Sequence, residues 1–351
     1  MVNRPRRRAG SAARRTASAL LILFVPIAVT AEIRSTVDLG VYNTVLIADG
    51  EDPTASGTAT ADVEFAGIGD RMVRPLLQIR AVLIEVDGIA TADFQVPRAE
   101  IKWRRQVGDS YTLRFTAGRS RLSWGDGVVL NAGDVINGAL PAELDLSAST
   151  LRDETVWLLS AYLPLGAYAF LEPVLLVPGF AQDGSTVSAA GAQNTGAGAR
   201  VQWKVRQIKM ESGYIYRGGD RTHQPYLSMQ GNLFLDWYGG VSLLDDTVTA
   251  SGGAFALASG PRGGTWTFRV EGLVETDSEP VWFPELTWSP SELFSTFVRA
   301  RIAGNSESAN TTVGLNWLPS TGLGISLFGT LFETLSTEQN GAITAAVTYS
   351  Y

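Results

Sequence analysis

The residues best suited to chemistry in this chain crowd into one stretch. Gly118-Arg119-Ser120-Arg121-Leu122-Ser123-Trp124-Gly125-Asp126 opens it, and Asn131, Asp134, Asn137, Glu143 and Asp145 follow. Carboxylates and amides so spaced can ligate a cation, pair with arginine or cap a turn. Gly125, Gly127, Gly133 and Gly138 let the backbone turn sharply between them. Three roles fit 124–150: a plain extracellular loop, a loop folded inward to narrow a channel, or a catalytic or metal-binding loop. Catalysis would need a nucleophile and a base. The one histidine, His223, follows Gly218-Gly219-Asp220-Arg221-Thr222, where Asp220 is near enough in sequence to orient it. No activated-serine motif accompanies it, and no Lys-Ser/Thr follows the paired glycines at 218–219 or 263–264. One histidine and no cysteine exclude multi-histidine and thiolate metal sites. The expectation is a chain without catalytic, cofactor or metal residues.

Composition narrows the class. Met1–Ala31 carries Arg4, Arg6, Arg7, Arg8, Arg14 and Arg15, no acid, then the apolar run Leu20–Val29 and small residues at Val29-Thr30-Ala31. This is the pattern of a cleaved export signal, which makes 1–31 a signal peptide and Glu32 the first mature residue. Of the 28 Lys and Arg residues, these six then leave 22 against 35 acids, a net charge of −13. So acidic a chain is a poor partner for nucleic acid. The mature part has no apolar run long enough for a transmembrane helix. It is nonetheless 45% hydrophobic and only 18% charged over the whole chain.

The elements that must position the chemical residues are strands. Val37, Leu39 and Val41 alternate with Thr36, Asp38 and Gly40, and Leu77, Ile79, Ala81 and Leu83 alternate with Gln78, Arg80 and Val82. The same period of two recurs in Tyr111–Gly118, Arg200–Arg206, Trp266–Glu275, Phe294–Ile302 and Thr312–Trp317. Candidate strands run from 33–43 to 341–351, including weaker ones at 238–245 and 252–259, with none between 276 and 293. Tyr42, Trp103, Tyr111, Tyr214, Tyr216, Trp237, Tyr238, Trp266 and Trp317 fall near strand ends, as in interfacial aromatic girdles. Phe328 and Phe332 break their strand's alternation and are expected over small lumenal neighbours. The final strand keeps Ile343, Ala345, Val347, Tyr349 and Tyr351 on one face to the last residue.

These features predict an all-β fold over 32–351, a single closed antiparallel transmembrane β-barrel of about 16 strands, with about 14 as the alternative, since such barrels have even strand numbers. Polar faces then line a lumen, and 124–150 is a candidate infolded loop. Arg80, Arg114, Arg119, Arg200, Lys204, Arg206, Arg269, Arg299 and Arg301 would line the wall, unless they serve as structural partners of Glu100, Glu211, Glu271 or Glu275. Asp126, Asp134 and Asn137 would line or anchor the loop, with Trp124 at a membrane interface. Acids on one wall facing bases on another would set a transverse field. The expected function is passive diffusion of small polar or ionic solutes. The alternatives are a structural or adhesive barrel and a secreted soluble β-sandwich binding module.

The ending Ile343…Tyr349…Tyr351 resembles the assembly signal of bacterial outer-membrane β-barrels, porin-like proteins among them. That resemblance implies the cell outer membrane, contact with its lipid and lipopolysaccharide, and the barrel-assembly machinery as partner, with Tyr349 and Tyr351 as signal residues. Gly118-Arg119, Trp124-Gly125-Asp126 and Asp134-Val135-Ile136-Asn137 also resemble a motif in a group of proteobacterial and spirochaetal outer-membrane proteins. Gly138 stands where that motif commonly has Pro.

Overall fold

In the computed structural model, residues 32–48, 50–68, 72–86, 88–108, 111–141, 144–148, 150–178, 180–183, 186–189, 195–260, 263–304, 308–334 and 338–351 are described. The export-signal expectation for 1–31 and the residue Glu143 lie outside them. The strands are β1 (Glu32–Ile47), β2 (Thr54–Ile68), β3 (Val73–Val86), β4 (Ile89–Val107), β5 (Tyr111–Ser120), β6 (Val156–Pro164) and β7 (Ala169–Leu176). A small separate hairpin, β8 (Phe180–Asp183) and β9 (Thr186–Ala189), follows. Then come β10 (Gly196–Val205), β11 (Ile208–Arg217), β12 (Thr222–Asn232), β13 (Asp236–Leu244), β14 (Thr247–Ser259) and β15 (Thr265–Glu275). The last are β16 (Val281–Ser291), β17 (Phe294–Ala303), β18 (Ser308–Ser320), β19 (Leu323–Thr334) and β20 (Glu338–Ser350).

Each barrel strand pairs antiparallel with the next, β7 pairing with β10 across the small hairpin. β20 returns to β1 in register from Asp38↔Ser350 to Ile47↔Gly341. Val37 and Tyr351 exchange both backbone hydrogen bonds at 2.9 Å, so pairing continues to the last residue. Closure leaves no open edge, which a sheet in hydrocarbon cannot tolerate.

The sheet has 18 strands, more than the 16 or 14 expected. Of these, only β16 lies where the sequence offers no candidate strand, between 276 and 293. Its Pro284 and Pro290 lack a backbone N–H and break the sequence pattern of a strand. In the barrel Pro284 stands opposite Val270, and Pro290 falls within the register shift between Trp288 and Ser291.

Burial runs opposite to that of a soluble sandwich. Leu39, Val41, Leu83, Val270, Val274, Val313, Ile343 and Val347 are exposed on the outer face, while Glu211, Glu271 and Thr312 are buried within. An apolar outer band around a polar interior is the surface a bilayer requires.

The outer aromatics crowd toward one rim, the one carrying Tyr351 and the start of β1. Trp103, Tyr111, Trp203, Trp237, Trp266, Trp288, Trp317 and Tyr349 lie in the outward phase near strand ends at this terminal rim. Tyr42 and Tyr238 do not join the girdle: both are in the inward phase, and Tyr238 is buried. Phe328 packs inward with Phe297 and Ala346, over Gly314, which has room for no side chain of its own. Connections at the terminal rim are all short. The opposite rim carries the long ones, 121–155 between β5 and β6 and 177–195 between β7 and β10.

Candidate functional site

The segment 121–155 is built from turns and sits among inward-facing side chains of the barrel wall. Its first corner is Trp124-Gly125-Asp126. Gly125 has φ of +76° and lies against Gly133, so only glycine suits the position. Trp124 is wholly buried, not at a membrane interface. It stacks on Tyr226 at 5.7 Å, donates its indole N–H to Glu172 at 3.3 Å and packs with Val135, Ile136, Leu158 and Ile215. Further along, Val129, Leu130, Leu146 and Leu151 pack on Leu273, Val281 and Phe283 of the wall. Each large apolar side chain so buried contributes roughly 1.5–3 kcal/mol. This hydrophobic seat explains why the segment does not stay in water.

Its polar backbone needs partners too, and two glutamates supply them by the same device. Glu211 on β11 accepts from Gly125 N at 2.6 Å and from the Tyr226 hydroxyl at 2.5 Å. Glu271 on β15 accepts from Val129 N at 2.9 Å and Leu130 N at 2.6 Å through one oxygen, and from the Tyr238 hydroxyl at 2.5 Å through the other. Hydrogen bonds to an ionised carboxylate are about twice as strong as neutral ones. Each tyrosine ring lies over a glycine directly across the ladder, Tyr226 over Gly213 and Tyr238 over Gly253. A side chain at either glycine would strike the ring. Ser251 Oγ receives Ala132 N at 2.8 Å, and Arg217 donates to the carbonyls of Val135 and Ile136 at 2.8 Å each.

The segment's own acids hold it together and hold it down. Asp126 pairs with Lys209, close to the terminal end of β11, and accepts from Ser228 Oγ at 3.1 Å. Asp134 is buried and collects Ser123 Oγ at 2.8 Å, Asn137 N at 3.2 Å and Arg152 at 3.2 Å. Burial pushes its carboxyl up from the ordinary range, while Arg152, Ser123 and Asn137 pull it back. Asn137 Nδ2 also donates to the Leu122 carbonyl at 2.8 Å. Asn131, equally buried, spans Trp124 O and Gly133 N.

The basic residues divide into two groups. Arg200 bridges Glu172 at 2.7 Å and Glu211 at 3.0 Å. Arg269 and Arg299 both bind Glu285, and Arg299 adds the carbonyls of Leu146 and Ala148. These three brace the seat. Arg80 pairs with Asp62 at 2.8 Å on the far wall. Arg114 is exposed on the inner face of β5, its guanidinium 5.0 Å from the Tyr162 ring. Lys204 is exposed near the terminal rim, Arg301 lies half-buried on β17, and Arg206 occupies the turn after β10 at φ +55°. Arg119 is out of step with the inward Gly118 and Ser120; it bonds Thr155 Oγ1 and the Val96 carbonyl.

The alternation with Ile101 and Trp103 puts Lys102 and Arg104 on a polar face, but it does not single them or Arg74 out as lining residues. The register does, setting Arg74 opposite Lys102 and Arg104 opposite Arg114. All four side chains are exposed on the inner wall. The inner faces of β2 and β3 here are likewise half-exposed, whereas the wall under 121–155 is buried. A cavity of about 240 Å³ opens on this free wall, lined by Asp38, Tyr42, Thr60, Asp62 and Thr348. The interior is therefore lopsided, with a packed side and a side facing solvent.

His223 has a different setting. It lies in the outward phase of β12, bonded by the Tyr214 hydroxyl, with its ring 4.9 Å from that of Tyr216. Among the described residues there is no cluster of three potential metal ligands.

No family model matches the sequence, and no curated protein matches it. Solved structures do share the fold. OpdK of Pseudomonas aeruginosa, solved with vanillate, aligns at a TM-score of 0.58 and 12% identity, covering 90% of this chain and 98% of that one. OpdQ of the same organism aligns at 0.57 and 8%, covering 91% and 99%. OccAB4 of Acinetobacter baumannii aligns at 0.53 and 9%, covering 92% and 99%. The fold is thus the closed antiparallel barrel of an outer membrane protein such as OpdK.

Proposed function

We propose that this chain is a bacterial outer-membrane channel for passive diffusion of small polar or ionic solutes, with a preference for anionic groups. The lopsided interior carries the reading. One wall is covered by 121–155, and the solvent-facing wall presents Arg74, Lys102, Arg104 and Arg114. Asp38 and Glu64 on β1 and β2 place acids on the neighbouring wall, so a transverse field acts on a passing solute. Vanillate, present with OpdK, is a carboxylate and accords with this preference.

Short turns at the terminal rim and longer connections opposite follow the usual asymmetry of such barrels, which makes the terminal rim periplasmic. Export through 1–31, insertion by the barrel-assembly machinery through the Tyr349–Tyr351 ending, and lipopolysaccharide around the outer band complete the proposal. The test is conductance in planar bilayers with a salt gradient. Stable openings with a reversal potential on the anion side are expected; folded protein that never opens would sink the channel reading.

A further inference from the structure

The charges of the lumen and its mouths separate along the barrel axis as well as across it. At the terminal rim the inner wall carries Arg34, Arg74, Lys102, Arg104, Arg114 and Lys204, all exposed. Among the described residues, inward acids near that end include Asp38, Glu64 and Asp236, while Asp62 pairs with Arg80, Glu100 with Arg98 and Lys102, and Glu172 and Glu211 with Arg200. The opposite mouth has the reverse sign. Its turns and strand ends expose Asp52, Asp220, Asp245, Asp246 and Asp277. The cations near that mouth are largely engaged: Arg121 with Asp153, Arg152 with Asp134, and Arg217 with segment carbonyls. Arg221 is exposed there, in the turn before β12, and Arg301 lies half-buried in the inward phase two residues from the end of β17.

A pore with fixed negative charge at one end and fixed positive charge at the other does not conduct equally in both directions. With one polarity, cations enter through the acidic mouth and anions through the basic one, and mobile ions accumulate in the lumen. With the other polarity, both are drawn out and the lumen is depleted. The effect depends on the fixed charges reaching across the pore. It is therefore strong when the screening length is about 10 Å, near 0.1 M salt, and weak at about 3 Å, near 1 M.

We propose that the lumen is a bipolar rectifier, acidic at the outer mouth and basic at the periplasmic end, passing current preferentially in one direction. This rests on the channel reading, and the experiment separates the two. Single channels of the full-length mature protein are recorded in KCl at both polarities. The current ratio at equal and opposite voltages is read within each channel, so insertion direction does not matter. A ratio of roughly two or more near 0.1 M, falling toward one near 1 M, is expected from the change in screening. D245N/D246N/D277N, confined to exposed turns, is expected to reduce the ratio with openings retained, and R104Q/R114Q to reduce it from the other end. Absence of openings defeats the channel reading itself. Open channels with a ratio of one at low salt overturn rectification alone, as does asymmetry that survives high salt or both sets of neutralisations.

Discussion

The Tyr238 hydroxyl and the Glu271 carboxylate meet at 2.5 Å inside the barrel, and Glu271 in turn holds the backbone of Val129 and Leu130. The contact joins three levels. Gly253 leaves space for the ring, the ring aims its hydroxyl at the carboxylate, and the carboxylate fixes the inserted segment. Removing the carboxylate leaves two buried N–H groups and the donating hydroxyl without their acceptor, about 1–3 kcal/mol for each group. Glu271→Ala is expected to yield a folded barrel with larger, noisier single-channel conductance. Tyr238→Phe removes one bond of the three and should do less. Conductance traces identical to the unaltered protein would show that the segment is seated without this clamp.

Asp126 and Asp134 act on the segment from within. Their side chains are 5% and 0% exposed, so they offer little charge to a passing ion. The double change Asp126→Asn, Asp134→Asn is expected to destabilise the seat and increase open-channel noise. Reversal potential should shift less than noise rises. A large selectivity shift with quiet openings would return both residues to the pore lining.

Arg104 and Arg114 face each other across β4 and β5, exposed on the free wall. Their joint replacement by Gln removes two positive charges without disturbing the buried seat. The reversal potential in a salt gradient is expected to move toward cations, most clearly at low salt where screening is weak. An unchanged potential would place the ion path elsewhere.

Tyr351 closes the ladder through its reciprocal bonds with Val37. Its ring is 85% exposed and adds almost nothing to internal packing. Tyr351→Ser should therefore leave the melting temperature of purified, folded barrel nearly unchanged. It should lower the yield of barrel inserted in cells, read from heat-modifiable mobility of membrane fractions. Equal yields would remove Tyr351 from the assembly signal.

Much of this architecture was legible in the chain because a strand's two faces differ at every second residue. Val37, Leu39 and Val41 face outward because water is absent there, and a period of two records that directly. The same period placed Arg114, Arg200 and Glu271 on inner faces. It failed at β16, where Pro284 and Pro290 erase the local signature although neighbouring strands still provide pairing. It also failed to distinguish Tyr42 and Tyr238 from girdle residues, since a ring near a strand end can face either way.

Sequence alone thus determined the class of fold, the polarity of its faces and the one segment that departs from them. Which arginines meet a glutamate and which stay free was decided only in three dimensions. Arg200 and Arg114 have similar local patterns, but 121–155 covers one and leaves the other in solvent. That segment's bonds to Glu211 and Glu271 span 86 to 142 positions along the chain. Local periodicity holds no information at such separations. Barrel closure and strand register bring those groups together, and the cost of leaving buried N–H groups unpaired then selects their partners.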